Sequence, residues 1–391
     1  MLKRIVRTGA RLPEPVRRAV RDLPGVKWLR DRGVGNPQPV GPGSGELRPV
    51  VYLPTWSHWD VMRQRQQYLM AAFAEAGHDV YFVDVRAGGV ETVDGVTIVP
   101  SLDEVPGHDV ILYLHFAPVR TLLAKFQRPV VIYDLLDDLS IYEPDEARTP
   151  ARRRVGAHHP QLISEADVVT VSNPALADRH HHERDDLLLT PNGVDYARFS
   201  TPRARPSDLP PHDAGRPLVG YHGAVAEWFD FDLLEAVAAT LSEWRFVLVG
   251  PIYPGVADRA ARLGQMANVV VLGERPSDDM PGYVQAFDIG AIWFVLDDLT
   301  KAVTPLKLYE LMAAGVPAVS TPLPACVAEP LVHTAGDAAG FVAALEKART
   351  EAGDPEFSAH ARAVGSNAGW LGRIAPLRQR LDDAGLLRMP T

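Results

Sequence analysis

The sequence is nearly free of cysteine: Cys326 stands alone among 391 residues. That excludes an internal disulfide framework and any zinc site built from several thiolates. Long apolar runs are lacking as well. No stretch approaches the ~20 residues that a membrane-spanning helix needs, and no signal-like apolar region precedes the first structured segment. The cytoplasm is therefore the expected location. Positive charge is in deficit too, with a formal balance of −9, which argues against nucleic acid as a partner. No internal repeat is visible, yet the length suffices for two domains with full-sized cores.

What positive charge there is lies at one end. Residues 1–32 hold ten Lys/Arg against Glu14, Asp22 and Asp31, a local balance of +7 that leaves −16 for the remainder. Interleaved with Leu2, Ile5, Val6, Leu12, Val16, Val20 and Trp28, these residues read as a basic amphipathic arm, of the kind that lies on an anionic membrane surface. Pro13, Pro15 and Pro24 cut it into short pieces, so a solvated basic tail is the competing reading. A Gly/Pro-rich linker, residues 33–49, follows. Residues 1–45 are thus set apart as arm and linker.

From Val50 onward the pattern alternates. Short apolar strands are expected at Val50–Leu53, Val80–Val83, Thr92–Val99, Val110–His115, Val130–Asp134, Val168–Val171 and Leu187–Leu189, with helical stretches between most of them. Residues 200–217 are rich in proline, and then the alternation restarts at Leu218–His222, Phe246–Gly250, Val269–Leu272, Ile289–Phe294 and Ala318–Ser320. Strand, helix and strand in succession, with nearly continuous apolar strands, specify parallel sheets covered on both faces. The expectation is an α/β chain of two doubly wound Rossmann-like domains, 46–200 and 214–345, with a helical tail at 346–391. Ligands of such sheets sit at the carboxyl ends of the strands, here in a cleft between the domains.

The most informative stretch is Lys301–Ala325. Thr304 is the expected N-cap of a short helix, Pro305 its first residue and Gly315 its C-terminal stop. Leu308, Leu311 and Met312 form the apolar stripe. Lys307 falls in the first turn, where free N–H groups, the positive end of the helix dipole and a lysine together make an anion site suited to phosphate. Glu310, three residues on, shares its face and can accept two hydroxyl hydrogen bonds, as a ribose offers. The plain alternative is a surface Lys–Glu pair worth a few tenths of a kcal/mol.

These residues resemble a known family. The pattern PLKLYE followed by AAGVPAVST is similar to the donor-binding helix of GT-B glycosyltransferases, in particular retaining ones of the family 4 type. Pro191-Asn192-Gly193-Val194-Asp195 with Phe199, and Gly77-His78-Asp79-Val80, match two further motifs of those enzymes in their order and spacing. The TWSHWDVMRQR and YDLLDDLS segments resemble a branch that makes bacterial cell-surface polysaccharides, including the teichuronic-acid type. The resemblance implies a hexosyltransferase that moves a sugar from a nucleoside diphosphate donor (UDP first among the candidates) to an acceptor hydroxyl, with retention and with neither metal nor cofactor. The acceptor is a glycan, lipid-linked or a small natural product. A catalytically silent scaffold subunit of the same fold is the alternative from another class.

By the same resemblance, Lys307 neutralises the donor diphosphate and Glu310 holds the ribose, with Thr304, Pro305 and Leu306 forming the helix entrance. Departures from the pattern qualify this. Ala302 stands where a second glutamate is frequent, so Asp297 and Asp298 either contact sugar hydroxyls or cap their turn. The usual basic pair after the first C-domain strand is missing, which leaves the Gly223 N–H to meet a phosphate; Arg275 falls where the family holds the nucleobase, or is a solvated arginine. On the acceptor side, Trp56, His58 and Trp59 replace a glycine-rich loop, as sugar-stacking aromatics or as packing. His115 ends a strand near the transferred sugar. Asp137 and Asp138 are candidates for a general base, or for helix caps. The runs His158-His159 and His180-His181-His182 look like metal ligands, but consecutive helical residues point about 100° apart and cannot converge on one ion.

Overall fold

A computed structural model describes residues 34–38, 46–55, 58–59, 63–136, 150–213 and 215–390. The basic arm, Trp56, Asp137 and Asp138 lie outside the described residues. The chain divides into two compact units: residues 1–60 with 69–190 and 374–391, and residues 61–68 with 191–373.

The first unit contains β1 (Val50–Tyr52), most of α1 (Arg65–Glu75), β2 (Val80–Val83), β3 (Glu91–Val93), β4 (Val96–Val99), β5 (Ile111–Leu114), β6 (Val130–Leu135), α2 (Pro150–Glu165), β7 (Val168–Val171), α3 (Pro174–His180) and β8 (Leu188–Leu189). The strands form one sheet in the order β3-β4-β2-β1-β5-β6-β7-β8, parallel except for β3. β1, β5, β6 and β7 are buried along their whole length, as strands covered on both faces must be. One expectation needs correction here. Thr92–Val99 is a hairpin and not a single strand, because Asp94-Gly95 turns the chain with φ of 51° and 77°. Asp-Gly is a two-residue hairpin signal, since both positions tolerate positive φ.

The second unit adds α4 (Tyr196–Ser200), β9 (Leu218–His222), α5 (Phe231–Thr240), β10 (Arg245–Val249), α6 (Ala257–Leu263), β11 (Val269–Gly273), α7 (Met280–Gln285), β12 (Ile289–Ile292), α8 (Leu306–Ala314), β13 (Ala318–Ser320), α9 (Pro324–Val327), β14 (Val332–Thr334), α10 (Ala338–Glu351), α11 (Pro355–Asn367) and the start of α12 (Trp370–Asp383). Its sheet is wholly parallel, in the order β11-β10-β9-β12-β13-β14. The short edge strand β14 was not legible in the sequence. Trp293 stacks on Phe341 at 4.2 Å between ring centroids, which fixes α10 against the sheet.

α8 is held on its outer side by α11, where the two backbones nearly touch. A Cβ on Gly365 would lie 2.6 Å from the Ala313 backbone. Backbone cannot swing aside as a side chain can, so Gly365→Ala is expected to cost about 2 kcal/mol. Chemical denaturation measures it; an unchanged midpoint would show that the helices separate freely.

Candidate active site

In the second sheet the strand order reverses between β9 and β12: the chain leaves β9 towards β10 and leaves β12 towards β13. The carboxyl ends of such a pair form the crevice where ligands of doubly wound sheets bind. The residues found there are Tyr221 and His222 at the end of β9 with Gly223 after it, Trp293 and Phe294 after β12, and the first turn of α8.

α8 begins one residue later than the sequence suggests. Pro305 is its N-cap, with extended φ and ψ of −65° and 131° and no side-chain capping bond, and Gly315 closes it in the left-handed conformation at φ 76°. Thr304 does not cap. It is buried, and its carbonyl accepts a 2.6 Å bond from the Asn192 amide, while Asn192 in turn accepts from Arg65 at 3.1 Å. Asn192 of the Pro-Asn-Gly motif and Arg65 therefore pin the entrance of α8, a role that sequence motifs alone do not reveal.

Lys307 rises from that uncapped turn into an aromatic slot. Its Nζ is 4.9 Å from the Tyr221 ring centroid and 4.6 Å from that of Phe294. Among the described residues it makes no ion pair. Cation–π attraction holds the ammonium, but burial lowers its pKa to about 8, against the opposing pull of Glu310. Cys326 gives it no counter-charge, because burial pushes that thiol up to about 11. A cation so placed is a half-built ion pair.

Gly223 makes the slot possible. A Cβ there would lie 3.4 Å from the Lys307 Cε and Nζ, and φ is +111°. The expected use of its N–H for phosphate does not hold, since that N–H donates to the Val249 carbonyl at 2.8 Å. The donors left over are those of the helix start and Lys307 itself. Glu310 is likewise prepared: its Oε2 lies 2.7 Å from the His222 Nε2, with its side chain only 12% exposed. His222 was quoted in the sequence merely as a departure from a motif, and it is the residue that orients Glu310.

The other donor-side candidates divide. Asp297 caps its own turn, accepting from the Thr300 N–H at 2.9 Å, whereas Asp298 is exposed, 4.0 Å from Lys301. Arg275 is engaged by Asp208 at 2.8 Å and by the Leu272 and Glu274 carbonyls at 2.7 and 2.9 Å. It braces its loop more than it reaches outward.

Comparison with known proteins decides what this crevice belongs to. Residues 216–351 match the family described as glycosyl transferases group 1. The chain is 28% identical over 293 residues to the putative teichuronic acid biosynthesis glycosyltransferase TuaH of Bacillus subtilis (strain 168), covering 69% of this chain and 72% of that protein. Residues 216–351 form a glycosyl transferases group 1 domain. The fold of the chain is GT-B, shared with the sucrose-phosphate synthase of Thermosynechococcus elongatus (TM-score 0.61, 17% identity, 86% of this chain and 100% of that one). It is also shared with Anabaena HepE in complex with UDP and glucose (TM-score 0.57, 15% identity, 86% and 99%).

The first unit of the transferase has its own reversal, between β1 and β5. His115, the residue after β5, is buried there with Nδ1 2.8 Å from the Tyr52 hydroxyl. His58 lies 2.7 Å from Asp84, which also accepts the Trp59 N–H at 2.9 Å and the Arg86 N–H at 3.0 Å. Burial works against the Asp84 charge, yet these bonds win and hold its pKa below the usual carboxylate range. Trp59 is 6% exposed, edge-on to Phe82 at 5.2 Å. Of its two readings the structure therefore supports packing: the ring is core and not a sugar platform. No helix among the described residues is long and apolar enough to cross a membrane.

Proposed function

We propose that the transferase moves a sugar from a nucleoside diphosphate donor to an acceptor hydroxyl, with retention of configuration and without a metal in the transfer step, in the synthesis of a cell-surface glycan. The observation that carries the donor assignment is Lys307: a half-buried cation at an uncapped helix start, flanked by two rings and making no ion pair among the described residues. As the bond from the anomeric carbon to the diphosphate oxygen breaks, charge grows on the leaving oxygens, and a cation already fixed and desolvated stabilises that charge without reorganisation. Glu310, oriented by His222, accepts from the ribose hydroxyls. The departing phosphate oxygen can take the acceptor proton, so that no strong protein base is needed. His115 on the first unit then serves to orient a hydroxyl.

The acceptor class follows the 28% identical relative, whose name places it in teichuronic acid biosynthesis; a glycan or lipid-linked acceptor is accordingly the first to try. The competing scaffold reading is weighed by the same residues, since a silent subunit has no use for a costly buried ammonium. Thermal denaturation with UDP, GDP and dTDP tests the donor site. A nucleotide at 100 times its Kd is expected to add about 2.7 kcal/mol, and UDP should give the largest rise. No shift with any of the three, together with no hydrolysis of nucleotide sugars by the pure chain, would favour the scaffold.

A further inference from the structure

Away from the donor crevice, the first unit gathers imidazoles from two helices around one carboxylate. His159 on α2 is buried, with Nε2 3.1 Å from the Glu183 Oε2. His180, the last residue of α3, is also buried, with Nδ1 3.1 Å from the Glu183 Oε1. His182, an exposed residue, brings its Nε2 to 3.7 Å from the same oxygen. One ligand atom from each of His159, His180 and Glu183 lies within 4.8 Å of the others. We propose that His159, His180 and Glu183 form a binding site for a first-row divalent cation, zinc in the first instance, with His182 or a water completing four-coordination.

Several observations support a metal over a simple hydrogen-bonded cluster. The spacing is close: ligands about 2.0–2.2 Å from zinc in a tetrahedron lie roughly 3.3–3.6 Å apart, and one ligand atom from each of the three residues already lies within 4.8 Å of the others. The donor set is right, since two imidazoles and a carboxylate suit zinc and its neighbours and are poor ligands for magnesium or calcium. His180 and Glu183 at i, i+3 share a side of the chain at the helix end, a spacing that recurs at carboxylate–histidine metal sites. Finally, the outer shell is in place. The Tyr133 hydroxyl lies 3.0 Å from the His159 Nδ1; when that nitrogen donates to the phenol oxygen, Nε2 presents its lone pair to the centre. Bound there, the cation would staple α2 to the end of α3.

The proposal is independent of the donor assignment and is tested without reference to activity. The full-length chain, stripped with chelator and dialysed, is titrated with zinc chloride, and bound metal is counted by mass spectrometry. One zinc per chain is expected, with a rise in Tm that magnesium does not reproduce. Cobalt(II) should give the intense visible absorption of a tetrahedral nitrogen–oxygen site. His159→Gln and Glu183→Gln should each weaken binding at least tenfold, while His181→Gln, an exposed neighbour, should leave it unchanged. Should His159→Gln fail to fold, Glu183→Gln at a more exposed position and the cobalt spectrum of the unaltered chain still decide. Stoichiometric binding that survives Glu183→Gln, or a stripped protein that takes up no zinc, would overturn the site.

Discussion

Lys307→Met is expected to lower kcat/KM for the donor by 30- to 1000-fold, about 2–4 kcal/mol of transition-state stabilisation, while raising the Tm of the unliganded enzyme. The two effects share one cause. The ammonium sits between Tyr221 and Phe294, and the burial that makes it effective against a diphosphate destabilises the empty protein. Methionine keeps the aliphatic contact with both rings and removes the charge. Discounted for the part of the side chain that water still reaches, the gain should be about 1–2 kcal/mol, a few degrees in Tm. The pH dependence has the same origin. With a pKa lowered to about 8 by burial, the free enzyme loses the ammonium above that pH, so kcat/KM should fall roughly tenfold per unit beyond it. Stability should move the other way. The native lysine binds fewer protons than the unfolded one between about pH 8 and the ordinary lysine value of 10.5, so the cost of burying the charge is relieved as pH rises through that window. Steady-state kinetics and calorimetry across pH 7–10 follow both. A change under threefold in kcat/KM would return Lys307 to an ordinary surface lysine.

Glu310→Ala is expected to raise the donor KM by 30-fold or more with a smaller change in kcat. The ribose is remote from the breaking bond, so its hydroxyl bonds are made about equally in the ground and transition states. Hydrogen bonds to a charged acceptor are worth about 1.5–3 kcal/mol each, and removing the carboxylate also leaves the buried His222 without its 2.7 Å partner. His222→Phe separates the contributions. It should give an intermediate loss if the histidine acts by holding Glu310 in place, and none if Glu310 is oriented by the helix alone. An unaltered KM in Glu310→Ala would remove the ribose from this side of the helix.

Much of α8 is legible in the sequence. Its apolar stripe, the glycine that ends it and the shared face of Lys307 and Glu310 follow from a 3.6-residue period and from left-handed φ at Gly315. The cap was not legible, because the backbone of Thr304 is fixed by Asn192 from more than a hundred residues away. The Asp94-Gly95 hairpin was legible in principle and was missed by reading one apolar run from Thr92 to Val99. Trp59 illustrates the opposite limit: its residue type suits sugar and core equally, and only the position of Phe82 distinguishes them.

The histidines make the same point most sharply. Neighbours within each run do diverge, and the expectation of no metal rested on that local geometry. One member of each run nonetheless meets Glu183, because α2 and α3 flank β7 and are brought side by side by the sheet.

By itself the sequence determined the alternating elements, the two parallel sheets and the placing of Lys307 and Glu310 on one face of α8, all of which depend on local periodicity and backbone preference. Only the tertiary structure decided that Tyr221 and Phe294 enclose Lys307, that His222 orients Glu310 and that His159 reaches His180. Those pairs lie on different strands and helices, and the order in which strands pair, not the spacing of residues along the chain, sets which side chains meet.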